Sequence, residues 1–545
     1  MSAHSITHCL KEDRPMSKKS HYEPGRRLFA KQVLSAASLA YLAPRALAKA
    51  VHRSSGNSSP PNILMIFPDQ WRYSALGFWN QPPFKGVLGT VADPVITPNL
   101  DALARESVVV THAVSTMPVC SPYRAMMMSG RYVAKTGIDY GNCEKDNDNG
   151  MYHSLPCITD LLYEAGYDTG YVGKTHWEKN EPLFSKKHVY VGQVTPPGGY
   201  HIYSNDTYIP PGRGRHSCRY WFQSIRDVHK NPLCYSSIPR LVNGRSDGEP
   251  YQFRKFSPVV EADVVIDFLK NQHNDRNPKQ PFCMIWAPNP PHPPYYAPKD
   301  CDETVLQRYY ATRDPAQLLV RKNWHKPTKP HHRSALDAVQ YYFANITAVD
   351  REIGRVLKAL DEAGLKENTI VIFTSDHGEM MGSHGALGKM RIYDEAFRIP
   401  LLIRYPARLK PRVEKMFFTP VDMMPTLLGL AGLSEFLPPG ADGFDYSKRL
   451  MGDADPKECP KAALFYTKSR KGLRTFRYTF EINQSGKTLL FDNLEDPYQL
   501  KNIDPKSVPT NKLTYIRKTL GNLLRKANDP WYQSKTRSDF IIYPS

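Results

Sequence analysis

Cysteine, proline and arginine at alternate positions, Cys120, Pro122 and Arg124, open the stretch CSPYRAMMMS, and Gly130 follows it. Pro122 pre-sets helical backbone just after the thiol, so residue 120 is expected to face the positive end of a short helix, a place suited to an anion. Two further pairs follow apolar runs: Asp69-Gln70 after NILMIFP and Asp376-His377 after TIVIFTS. Oxygen-rich ligands delivered from strand ends suit a hard divalent cation, Ca²⁺ or Mg²⁺. Singly, each feature has a plainer reading: an Asp after a strand serves as a turn or cap residue, and an isolated cysteine is a buried structural thiol. A Cys-His protease is another reading of Cys120, but an oxygen-lined cation site has no part in it.

The elements around these residues alternate. NILMIF is a short, continuously apolar run, the pattern of a strand buried on both faces, and TPNLDALARES reads as a helix with a Thr97 cap and Pro98 at its first position. VVVTHAVS returns as a strand, CITDLLYEAG as a helix stopped by Gly166, and YDTGYVGK as the strand behind it. Helix VVEADVVIDFLKNQ, strand PFCMIWAPN, a long amphipathic helix over 335–363 ended by Gly364 and strand NTIVIFTSDHG continue the pattern. Such alternation predicts an α/β fold: a large, mainly parallel sheet covered by helices on both faces, with functional groups at the carboxyl ends of its strands. Beyond about residue 455 the pattern changes to short segments, AALFYT, GLRTFRYTFEI and KTLLFDN, with one helix near 510–526, which reads as a smaller C-terminal α+β domain over 456–545 with an antiparallel sheet. The catalytic domain is expected over 62–455.

Residues 1–48 are a different kind of sequence. GRRLFAKQVLSAASLAYLAPRALA carries Arg26-Arg27, an apolar run too short to span a membrane and a small-residue cleavage site. That order predicts a twin-arginine signal peptide, with a linker over 49–61, hence a bacterial translocase as partner and a periplasmic or extracellular location. The chain's formal charge is +19, and the leader's eight Lys/Arg and three Asp/Glu leave +14 after cleavage. A basic surface favours anionic partners. No zinc-finger spacing, helix-turn-helix pattern or basic-aromatic interleaving points to nucleic acid, and an anionic polysaccharide fits an exported protein better. Nine cysteines include Cys9 in the leader, and spacings such as Cys143 to Cys157 and Cys218 to Cys234 permit disulfides in an oxidising compartment.

CSPYR followed by SGR resembles the C-x-P-x-R signature of the type I sulfatases, whose cysteine is oxidised to formylglycine after translation. NILMIFPDQ, GYDTGYVGKTHW, NPPHPPY, FTSDHGEMMGSHGALGKMRIYDEAFRIPLLIRYP and LLFDNLEDPYQLKNI resemble that family in the same order, over nearly all of the mature chain. The resemblance implies the alkaline phosphatase-like fold, a formylglycine-generating enzyme as partner, and a metal site of Asp69, Gln70, Asp376 and His377, completed by residue 120, with calcium the usual ion. It also implies that Arg124, Lys174, His176, His292 and Lys389 surround the sulfate as cations and proton-transfer groups. Gln70 and His377 stand where many members have Asp and Asn, and Thr175 where Trp is frequent. The implied activity is hydrolysis of sulfate esters, with a sulfated polysaccharide or oligosaccharide as the fitting substrate. Alternatives are a phosphonate or phosphate ester hydrolase of the same superfamily and a non-catalytic binder of anionic glycans.

Overall fold

Eleven strands form the principal sheet: β1 (Asn62–Ile66), β2 (Val108–Val114), β3 (Asp168–Gly173), β4 (Tyr220–Ser224), β5 (Leu233–Ser236), β6 (Tyr251–Gln252), β7 (Phe282–Ala287), β8 (Thr369–Thr374), β9 (Arg398–Ile399), β10 (Leu401–Arg404) and β11 (Arg412–Phe418). The computed structural model describes residues 59–143, 149–179, 206–225, 227–325, 334–453 and 456–533. The leader and nearly all of the linker, with Cys9, lie outside them.

The strand order is β11-β2-β10-β8-β1-β7-β3-β4-β5-β6, with β9 paired to β2. Its centre, β8-β1-β7-β3-β4, is parallel throughout. β1, β7 and β8 are buried at every position, which explains their unbroken apolar sequences. In register, Ile66 lies beside Trp286 on one side and Phe373 on the other, so the loops after these strands start level with one another.

The 28-residue helix Ala335–Glu362 starts in a capping box of Ser334 and Asp337 and ends before Gly364, whose φ of 69° suits glycine. It also corrects the Thr97 expectation. Asp350, in its middle, accepts the Asn99 and Leu100 N–H groups at 3.2 and 2.8 Å, so the helix Pro98–Arg105 is capped from across the core. The Thr97 hydroxyl is engaged elsewhere, donating to Asp101 and accepting from Gly77.

Strands β12 (Ala462–Thr467), β13 (Arg470–Thr475), β14 (Tyr478–Asn483) and β15 (Thr488–Asp492) form a separate antiparallel sheet in sequential order, followed by the helix Thr510–Lys526. Phe397 stacks on Phe465 at 4.3 Å within a small core that also takes Phe417 and Phe491, so the two sheets share packed side chains. The described residues belong to one compact unit. The eight described cysteines are buried and none is joined in a disulfide, so neither sequence-suggested bridge is present among them. Among the described residues no helix is long and apolar enough to cross a membrane.

Candidate active site

The carboxyl ends of four neighbouring parallel strands deliver the expected residues: Asp376-His377 after β8, Asp69-Gln70 after β1, His292 after β7, and Lys174 and His176 after β3. Gly173 makes the last exit possible. Its φ is 108°, and a Cβ there would sit 2.3 Å from the Ala287 carbonyl oxygen, so only glycine turns the chain sharply enough to aim Lys174 inward. Facing them is the helix Cys120–Ser129, closed by Gly130 in the left-handed region at φ 64°.

The ligand atoms of Asp69, Cys120, Asp376 and His377 lie within 4.8 Å of one another, all buried. Asp376 is held through both oxygens: Oδ1 accepts the Gln70 and His377 N–H groups at 3.0 and 2.9 Å, and Oδ2 meets Arg124 at 3.4 Å. Asp69 Oδ2 receives Lys174 Nζ at 2.5 Å and Arg124 at 3.2 Å. The His377 Nδ1 donates to the Gly378 carbonyl at 3.1 Å, which leaves Nε2 as the lone-pair nitrogen, 3.4 Å from Asp69 and 3.3 Å from the Cys120 sulfur. That is the tautomer a metal-binding imidazole needs. Gln70, at a left-handed φ of 64°, keeps its side-chain Oε1 buried with no hydrogen-bond partner. An orphan oxygen beside two carboxylates and an imidazole lone pair is a donor set that fits a hard divalent cation.

Cys120 is surrounded by cations. Lys389 Nζ lies 3.0 Å from its sulfur and 2.8 Å from His377 Nε2, and His176 hydrogen-bonds the thiol. Burial alone would push the thiol pKa up, but the charges of Lys174 and Lys389 foremost hold it well below the ordinary value. The expected donation from the helix end contributes less. Ser121 N–H goes to Asn142, Pro122 has none, and Tyr123 N–H returns to the Val119 carbonyl. The field at residue 120 therefore comes mainly from side chains.

Arg124 is fully buried, with its guanidinium on Asp69, Asp376, the Tyr171 hydroxyl and the Lys174 carbonyl, so it braces the carboxylates. His292 Nδ1 lies 2.8 Å from the Pro293 carbonyl and 3.1 Å from Asp227. Burial and Lys174 oppose its charge, but Asp69 and Asp227 prevail and raise its pKa above the ordinary imidazole value. All ten sequence-named positions thus fall in one site.

Sequence reasoning did not single out Glu379. Completely buried, it accepts from Gln70 Nε2, the Tyr295 hydroxyl at 2.9 Å, and the Met381 and Gly388 N–H groups at 2.9 and 2.7 Å. Its signal was available: a Glu three residues after Asp376, among small and apolar residues. Asp227 had no such signal.

A mainly parallel sheet with acidic, amide and imidazole side chains at its carboxyl edge, and Lys174 and Lys389 charged beside one buried cysteine, is the arrangement of a hydrolase of anionic esters with the alkaline phosphatase-like fold. The sulfatase family model matches residues 61–433, and a model of the C-terminal part of N-sulphoglucosamine sulphohydrolase matches 382–527. An endo-4-O-sulfatase of Bacteroides thetaiotaomicron is 35% identical over 523 residues, covering 91% of this chain and 98% of that protein. An ulvan-active sulfatase of Formosa agariphila is 32% identical over 459 residues, covering 81% and 77%. A solved structure from work on glycosaminoglycan metabolism by B. thetaiotaomicron superposes with a TM-score of 0.79 at 34% identity, covering 89% of this chain and all of that one. The chain belongs to the sulfatase family and is a sulfuric ester hydrolase.

Proposed function

We propose that the enzyme removes sulfate from a sulfated polysaccharide or its oligosaccharides, using a formylglycine hydrate derived from Cys120 beside a bound divalent cation, calcium by preference. The observation that carries this reading is the setting of Cys120: a buried thiol among Lys174, Lys389, His176 and His377, level with two carboxylates. That setting suits an oxygen nucleophile attacking an anionic ester better than it suits a structural thiol. The substrate class is supported by the glycan-acting relatives and by the basic surface of the chain. The leader supports export through the twin-arginine translocase to the periplasm or beyond, with a formylglycine-generating enzyme acting on Cys120 first.

Asp69, Gln70, Asp376 and His377, with residue 120, would hold the cation. When bound, it supplies positive charge that polarises a sulfate oxygen and eases deprotonation of the hydrate. Formylglycine at position 120 would supply, as its hydrate, one hydroxyl as the nucleophile toward sulfur and a second whose deprotonation would let sulfate leave by carbon–oxygen cleavage, with water restoring the hydrate.

Each residue has a task in that sequence. His176, hydrogen-bonded to residue 120, takes the proton. Lys174 and Lys389 spread the negative charge, as fixed cations do in phosphoryl transfer. Arg124 keeps Asp69 and Asp376 paired and in place. His292, whose Nδ1 is anchored by Asp227 and Pro293, presents Nε2 as donor to the leaving oxygen, with Lys389 beside it.

Mass spectrometry of the peptide containing residue 120, from protein made in a host with formylglycine-generating activity, tests the reading. An aldehyde is expected. A thiol, with no sulfate released from any sulfated glycan, would turn the assignment to a non-catalytic glycan binder.

A further inference from the structure

Two residues beyond His176 the chain enters the wall of a cavity of about 350 Å³, within the range of small-molecule sites. Glu178 and Lys179 form one side, with Glu178 receiving His153 Nε2 at 2.9 Å from both carboxylate oxygens. Pro210, Pro211 and Arg213 line it as well. Resting on the reading above, we propose that this cavity binds the saccharide unit adjoining the one that carries the scissile sulfate. Its hydroxyls meet Glu178, its ring face meets Pro210 and Pro211, and an anionic substituent meets Lys179 and Arg213.

Position supports this. Consecutive Cα atoms are 3.8 Å apart, so Glu178 Cα lies within about 7.6 Å of His176 Cα, close enough for neighbouring units of one glycan to occupy both places. Preorganisation supports it as well. Gln223, buried on β4, donates to the Thr175 hydroxyl at 3.0 Å and to the Thr207 carbonyl, and accepts Ile209 N–H at 3.0 Å. One amide thus staples the far wall to the segment between Lys174 and His176. Trp177 Nε1 bonds the Gly214 carbonyl at 3.0 Å. Arg215 bonds the Ile209 carbonyl and, through two nitrogens, Asp247 at 2.8 Å. The wall is fixed before any ligand arrives, which lowers the cost of ordering a flexible sugar chain.

Gly214 offers a sharp perturbation. A Cβ there would lie 2.6 Å from Glu178 Oε2 and 3.4 Å from His153 Nε2, so Gly214→Ala pushes the Glu178-His153 pair into the cavity. The readout is the ratio of kcat/KM on a sulfated oligosaccharide to kcat/KM on a small aryl sulfate, which has no adjoining unit. Gly214→Ala and Arg213→Ala are each expected to lower that ratio about tenfold or more, the worth of one charge-assisted contact. An unchanged ratio in both, with both proteins folded, overturns the subsite. Oligosaccharides whose adjoining unit bears a carboxylate, a sulfate or no charge separate the sources of the anion. An equal Arg213→Ala penalty on all three overturns the anionic contact. Wild-type protein that carries formylglycine yet hydrolyses neither substrate class refutes the sulfatase mechanism itself, a different failure.

Discussion

Replacing Glu379 by Gln should turn over the side-chain amide of Gln70 and weaken the cation site. A carboxylate only accepts, so the end of Gln70 facing Glu379 must be its NH₂, which leaves Oε1 as a buried, unpartnered acceptor. In Glu379→Gln the new carbonyl oxygen stays on the Met381 and Gly388 N–H groups, because an amide NH₂ would collide with both donors. The new NH₂ then faces Gln70 and Tyr295. Gln70 relieves the clash by rotating, which sends its own NH₂ toward the cation and removes a ligand atom. Changes to groups that orient a ligand typically cost about 10–100-fold in metal affinity, or about 1.4–2.8 kcal/mol. Competition titration against a calcium chelator reads this directly, without turnover. The exchanged pair Gln70→Glu/Glu379→Gln should recover most of the affinity, since the amide at position 379 would then donate to a carboxylate at position 70. If Glu379→Gln binds calcium as tightly as wild type while Gln70→Ala does not, the orientation argument is wrong. If neither variant loses affinity, Gln70 is not a ligand.

Asp227→Asn removes an anion that raises the His292 pKa, so the alkaline limb of the kcat/KM profile, where the proton donor is lost, should move to lower pH. An unmoved limb would sever the pair from catalysis. Asp394, five residues past Lys389, is gripped by Arg474 of β13 at 3.0 and 3.1 Å and by Arg398 at 3.1 Å. Burial alone would raise its pKa, but the two arginines depress it, so its contribution is complete above the unfolded carboxylate pKa of about 3.9 and is lost as pH falls through the folded value. Asp394→Asn should cost about 3–5 kcal/mol in guanidinium unfolding at pH 7, with the deficit shrinking toward pH 3. Lys471, wholly buried, sits 2.6 Å from Asp529 within the rings of Tyr140, Tyr466 and Trp531. Lys471→Met strands the Asp529 charge and should destabilise by a similar amount, whereas the double variant with Asp529→Asn should recover part of it, as a double-mutant cycle would show.

The central strands were legible because burial on both faces demands short, unbroken apolar runs. Asp69 and Asp376 were legible as strand-end carboxylates. Lys174, His176, His292 and Lys389 were not legible from spacing, since their convergence depends on the order β8-β1-β7-β3, which the lengths of the crossovers do not encode. Resemblance to a family supplied them. The Thr97 cap failed for a related reason: the group that satisfies that helix is Asp350, some 250 residues away. Local sequence ranks candidates for a cap, and tertiary structure decides which of them is used.

The same division between local and tertiary causes governs the charge at residue 120. A helix end contributes about half an elementary charge and fades within a turn, whereas Lys174 and Lys389 bring whole charges into a water-poor site, with Lys389 at 3.0 Å. Arg124 faces the two carboxylates and Lys174 Nζ meets Asp69, which leaves Lys389 as the lysine in direct contact with position 120. Arg124 opposes the burial and the repulsion from Asp69 that together push the Asp376 carboxyl up. A divalent cation held there would complete this balance, since it would answer both carboxylates at once.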